Sequence, residues 1–241
     1  IIGKGHVPLQ IQKEARLPLG ARCLFGTVGI LCNFYAVDHL LVADASILNK
    51  LSPFFAIIFS YLLLKERITF FQAVCVGTAF VGCLFIVKPG FRNTAWFPAM
   101  VGVCGGLGAG IAYTMVRKLG SLGVKGPVIV FYFSLASCLI VVPWILLHFV
   151  PMSLKQLAVL LLAGVCAAGG QFSITVAYTY APAKKISIYD YSQIIFATVL
   201  GYVMFGEIPD GYSFVGYTLI VAASLVMFAY NRRMEGKTGR N

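Results

Sequence analysis

Carboxylates are scarce in this chain: eight Asp and Glu stand among 241 residues, and charged residues of both signs reach only 11%. A soluble domain carries about 25% charged residues. With 59% hydrophobic residues and a mean hydropathy of +0.88, the chain cannot cover a water-facing surface. That excludes a soluble globular protein and leaves a polytopic membrane protein with the lipid bilayer as its partner. Histidine is scarce too. His6, His39 and His148 lie far apart, and no pair among Cys23, Cys32, Cys75, Cys83, Cys104, Cys138 and Cys166 has metal-site spacing. No metal and no cofactor are expected, and the cysteines read as reduced, small packing residues in apolar stretches. The chain has no HExxH, no GxSxG and no phosphate loop with its lysine, so the common signatures of an enzyme are missing. The net charge of +11 does not point to nucleic acid, because the basic residues sit between apolar runs rather than in one patch.

What the chain does have is long apolar runs. A membrane span needs about 20 mostly apolar residues. Eight stretches qualify, at roughly 18–38, 42–64, 70–88, 96–116, 126–148, 156–181, 185–206 and 212–230. The connectors between them leave no room for a soluble domain. Residues 1–17, "IIGKGHVPLQIQKEARL", read as a polar connector rather than a signal or transit peptide, and suggest a fragment missing its N-terminus.

The basic residues alternate between the two sides of such a bundle. One side receives fifteen of them, with Arg22 counted in the segment before the first span; the other receives Lys88, Arg92 and Lys155. By the positive-inside rule the first side is cytoplasmic, which places the tail "NRRMEGKTGRN" in the cytoplasm of a multi-pass cell-membrane protein. Lys50 is left over inside a span.

An internal repeat appears at an offset of 141 residues. Gly29 matches Gly170, Ala36 matches Ala177, Ala56 matches Ala197, Tyr61 matches Tyr202 and Glu66 matches Glu207. The copies would lie in opposite orientations, which requires an odd number of spans per copy. The second copy holds five and the first shows three, so the expected fold is all-α: a polytopic helix bundle with eight transmembrane helices visible of ten, in two inverted five-helix repeats. Residues 1–90 would form the incomplete first repeat, 91–231 the second, and 232–241 the cytoplasmic tail. Inverted repeats mark secondary transporters, whose halves rock around a central site.

Two stretches then carry a family resemblance: "NFYAVDHLLVADASILNKLSPFFAIIFSYLLLKERIT" and "ITVAYTYAPAKKISIYDYSQIIFATVLGYVMFGEIP". In each, an alanine and a short connector precede a helix closing on Leu-x-Glu or Phe-Gly-Glu. The chain resembles the drug/metabolite transporter superfamily, EamA type, over essentially its whole length. That resemblance implies ten helices in two EamA repeats, a central cavity and transport of small metabolites, often outward. A protein without the first pair of helices is not expected to transport.

Polar groups inside a membrane are costly and face a cavity or one another. The candidates for substrate binding are Asn33, Lys50, Gln171, Tyr178, Asp190 and Gln193, on repeat-related helices where a central site is expected. Ser46, Asn49, Lys50 and Pro53 fall on one helix face, and Gln171, Thr175 and Tyr178 follow at i, i+4 and i+7. Three readings of Lys50 stand open: a structural ion pair with Asp190, snorkelling to the outer interface, or a functional role, in which Lys50 binds an anionic group of the substrate or the Lys50–Asp190 pair takes part in proton coupling. Pro53 frees a backbone carbonyl and is either a gate or a fixed bend. Glu66 and Glu207 end their helices where the dipole disfavours a carboxylate, and read as structural pairing residues. Gly102, Gly106 and Gly110 form a ladder that lets helices approach closely. Trp96 and Trp144 read as interface anchors. The leading function is a secondary transporter of an amino acid or other small organic solute. A non-transporting membrane scaffold or regulator, or a membrane-embedded enzyme, are the alternatives; substrate, coupling ion and homo-oligomer formation are open.

Overall fold

Apolar runs without breakers become helices in the computed structural model, which describes residues 11–65, 69–87, 96–180, 192–206, 208 and 210–238. These form α1 (Lys13–His39), α2 (Val42–Asn49), α3 (Ser52–Leu64), α4 (Phe70–Val87), α5 (Trp96–Ser121), α6 (Gly126–Leu147), α7 (Leu154–Tyr180), α8 (Ser192–Phe205) and α9 (Gly211–Thr238). No strand occurs among the described residues. Among the described residues, six segments are long and apolar enough to cross a membrane: α1, α2 with α3, α5, α6, α7, and Gly211–Met234 of α9. The apolar stretch Phe70–Phe85 in α4 is shorter. A helix satisfies its own backbone hydrogen bonds, which hydrocarbon cannot do.

The helix ends carry local signals. Thr69 and Gln72 form a capping box before α4: the Thr69 N–H donates to Gln72 Oε1 at 3.0 Å and the Gln72 N–H to Thr69 Oγ1 at 3.3 Å. Ser153 and Gln156 do the same before α7. The carboxylate of Asp210 caps α9 by accepting the Ser213 N–H at 2.9 Å. Helix α3 closes on Lys65 at φ 56°, the one described non-glycine residue in the left-handed region, and α8 is followed by Gly206 at φ 68°. Both positions end a helix with a residue that turns the chain away.

Helix α5 is the hub. It packs against α1, α2, α3 and α7, while α4 pairs with α9 and α6 joins α1 to α7. In lipid, helices associate through close packing and polar contacts rather than apolar burial, and small residues do this for α5. A Cβ on Gly106 would meet Leu48 O at 2.9 Å, and one on Gly110 would meet Phe55 Cβ at 2.5 Å. On the other side, one on Gly108 would meet Phe25 O at 2.9 Å. Polar bonds tie other pairs: Gln72 Nε2 donates to Asn231 Oδ1 at 2.7 Å, and Tyr217 Oη to Asp44 Oδ1 at 2.7 Å, both buried. The outer surface is apolar, with Leu139, Trp144, Leu147 and Val165 all exposed, as lipid contact requires.

Two placements differ from the sequence expectation. Helix α1 begins five residues before the expected span, and Arg22, counted with the segment before that span, is buried inside the helix (2% exposed). The span containing Pro53 is not one kinked helix. It is broken at Lys50–Leu51 into α2 and α3, with Pro53 in the first turn of α3.

Candidate functional site

The break sets the site. Pro53 has no N–H to give the Asn49 carbonyl, so the helix cannot run through. The last turn of α2 tightens instead, with the Lys50 N–H donating to Ser46 O and Ile47 O at 3.2 and 3.0 Å, and the Leu51 N–H to Leu48 O at 3.1 Å. Gly106 leaves room for the Leu48 and Asn49 carbonyls against α5. The end of α2 therefore stops in the middle of the bundle and presents Asn49 to α1.

Asn49 Nδ2 donates to Asn33 Oδ1 at 2.9 Å. The two amides border a half-open cleft with a cavity volume of about 80 Å³ between α1, α2, α5, α6 and α7. Gln171 of α7 lines it too, and donates through Nε2 to Thr175 Oγ1 at 2.9 Å. Tyr113 of α5 forms an aromatic wall, stacked on Tyr178 with ring centroids 4.3 Å apart and planes 10° apart. Tyr178 is 1% exposed and supports that wall from behind. Asn33 and Gln171, both singled out from the sequence, thus meet at one cleft, and Tyr178 sits one ring away.

The residue that sequence reasoning missed is Arg22. Its guanidinium lies in the cleft lining with its carbon 3.9 Å from the centroid of the Phe133 ring. Gly26, one turn along the same helix face, makes this geometry possible: a Cβ there would collide with Arg22 Nη1 and come within 2.8 Å of Phe133 Cε2. Arg22 Nε has no hydrogen-bond partner, and no ion pair to Arg22 exists among the described residues. The spacing Arg22–Gly26, with no carboxylate between Glu14 and Asp38, was the signal available in the sequence.

The other expected site residues fall elsewhere or outside view. Lys50 is 6% exposed and caps the C-terminal end of α2, where a cation complements the helix dipole, but it does not line the cleft. Gln193 lies in α8, which packs against α2. Asp190, Glu66 and Glu207 lie outside the described residues. Gly102 faces Leu48 and Ala36, continuing the close contact of Gly106 and Gly110 with the broken span. No cluster of His, Cys, Asp and Glu among the described residues could hold a metal ion.

Comparison with known proteins places this arrangement. The chain matches the EamA-like transporter family over residues 2–88 and 96–229. The chain belongs to that family. Among EamA-type relatives, the pseudopaline exporter CntI of Pseudomonas aeruginosa is 34% identical over 207 residues, covering 86% of this chain and 72% of that protein. The riboflavin transporter of Rhizobium johnstonii is 27% identical over 216 residues, covering 90% of this chain and 71% of that protein. A solved crystal structure superposes with a TM-score of 0.66 at 18% identity, covering 96% of this chain and 82% of its own. At that identity the likeness is one of fold alone. The chain is thus a multi-pass membrane protein of a transporter family, and the names of its relatives indicate transport rather than catalysis.

Proposed function

We propose that the protein is a secondary transporter that moves a small organic solute outward across the cell membrane by alternating access. The observation that carries this reading is the cleft. The buried Arg22 and half-buried polar side chains from α1, α2, α5 and α7 converge on a cleft beside a helix broken between α2 and α3. Broken helices lining a central cavity are the usual substrate sites of transporters built on inverted repeats.

The repeat reading has structural support. Helix α1 and helix α7 are each 27 residues long, and their ends, Lys13–His39 and Leu154–Tyr180, differ by 141 residues at both termini. The same offset relates the ends of α3 and α8, the starts of α4 and α9, and the left-handed residues Lys65 and Gly206. The two matched family segments, 2–88 and 96–229, divide near the proposed domain boundary between 1–90 and 91–231. With α4 counted as a span, α7 is the fifth span after α1, an odd step, so the copies run in opposite senses. The positive-inside count then places the tail 232–241 in the cytoplasm; moving Arg22 into α1 leaves fourteen basic residues against three. Lys50 and Pro53 form the hinge between α2 and α3.

The test is flux from sealed vesicles. The full-length protein, with all ten expected helices, is reconstituted, a mixture of metabolites is loaded inside, and the external medium is followed by mass spectrometry with and without a proton gradient. Solute-selective efflux above that of protein-free vesicles is expected. Equal leakage of every solute from both preparations would overturn the reading.

A further inference from the structure

We propose that Arg22 is an anion-binding residue and that the cleft takes a small organic carboxylate. The inference rests on the transport reading only for the statement that this ligand is the cargo; the binding itself is tested apart from flux.

A buried charge must be paired, or it keeps its desolvation cost. Arg22 is 2% exposed within a bundle of apolar helices, its Nε makes no hydrogen bond, and no described carboxylate pairs with it. Its near neighbour is the Phe133 ring, 3.9 Å away. One aromatic face attracts a cation but does not replace the hydrogen bonds that a guanidinium makes in water. The chain nevertheless has a place built for this side chain, since any residue larger than glycine at position 26 would displace the guanidinium. A space shaped around a cation that has no ion pair among the described residues suits an anion.

The surroundings narrow the anion. Arg22 is the one charged residue among those that line the cleft. A single guanidinium balances a single negative charge, and its planar fork matches the two oxygens of a carboxylate. A phosphate monoester brings nearly two charges and would leave one unbalanced inside the bundle. Asn33, which accepts from Asn49 through Oδ1, adds a polar amide to the lining, while Tyr113 and Phe133 offer flat apolar walls for the body of the ligand.

The probes are benzoate with benzamide, N-acetylglycine with N-acetylglycinamide, and phenyl phosphate. Each is titrated into purified protein in detergent micelles and read by calorimetry and by thermal shift. At least one carboxylate is expected to bind ten times more tightly than its neutral amide, and more tightly than phenyl phosphate. R22Q is expected to lose that preference, and R22K to keep part of it, because an ammonium supplies charge without the fork. If R22Q does not run as a monodisperse species, G26A carries the test: it keeps the charge but moves the guanidinium, and a tenfold loss is expected. Carboxylate binding that is unchanged in R22Q or G26A would overturn the proposal, as would a wild-type protein that prefers no carboxylate over its amide. Flux of neutral solutes without carboxylate binding would sink this proposal and leave the transport reading standing. Carboxylate binding without flux would do the reverse.

Discussion

Replacing Gly110 by alanine should loosen the contact on which the broken span rests. A Cβ at position 110 would stand 2.5 Å from Phe55 Cβ, 2.9 Å from Ser52 O and 3.0 Å from Ala56 N. Carbon atoms in good contact are about 3.5–4.0 Å apart. The atoms in the way belong to the backbone of α3 or to the first carbon of a side chain, so no rotamer change relieves them. Helix α3 must move off α5 by about 1 Å to restore a 3.5–4.0 Å contact. Overpacking of this kind costs about 1–3 kcal/mol, and a displaced helix points to the upper half of that range. Alanine's better helix propensity returns up to about 1 kcal/mol, leaving a net loss near 1–2 kcal/mol. Gly164 on the outer face of α7 supplies the control, since a Cβ there meets nothing within 4 Å. The same substitution at that position should be neutral or stabilise by up to about 1 kcal/mol. Both variants are unfolded by heat in detergent micelles and followed as the fraction of monodisperse protein. A G110A protein as stable as wild type, or a G164A protein destabilised as much as G110A, would refute the packing argument.

Three further perturbations test separate links. Y217F removes the donor that holds the buried Asp44 carboxyl at 2.7 Å; a loss of about 1–2 kcal/mol is expected from an unsatisfied buried acceptor. D44N keeps an acceptor oxygen and should cost less than Y217F in the same unfolding assay. Lys65 stands at φ 56°, where a side chain is strained; K65G should raise the unfolding midpoint, corresponding to a gain of about 1 kcal/mol. Lys50 is buried at the break between α2 and α3; K50A that still inserts should lose efflux, measured from the sealed vesicles, and wild-type flux would remove the residue from the mechanism.

The helices were legible because the membrane demands them. Backbone groups in hydrocarbon must be satisfied within the segment, so an apolar run of sufficient length is read directly as a helix. The starts of α4 and α5, Phe70 and Trp96, agree with the expected spans at 70 and 96. The site was legible in part for a related reason. Asn33 and Gln171 stand out because polar side chains are rare in such runs, and they do meet at the cleft. The break in the second span was harder. Pro53 signals the lost hydrogen bond, but where the chain parts depends on α5, whose Gly106 lets the Leu48 and Asn49 carbonyls pack against it. That is a long-range contact, and no local pattern encodes it.

Arg22 shows where charge counting fails. Basic residues near the edge of an apolar run are assigned to the loop, because exposing a cation is cheaper than burying it. Here Gly26 leaves room for the guanidinium inside the bundle and Phe133 offers it a ring face, so the cation stays buried. The scarcity of carboxylates then gains a meaning beyond membrane insertion. In α1 the acids are Glu14 and Asp38, toward its two ends, and Asp44 in α2 is engaged by Tyr217. Glu14 is eight residues from Arg22, roughly 12 Å along the axis at 1.5 Å per residue. Neither end of α1 can reach the cation, and a chain with eight acids in all has few others to send. An anion that arrives from outside can therefore enter this cleft without displacing a described ion pair. Its affinity need not offset the rupture of one, and the gain from pairing Arg22 is available in full to the ligand.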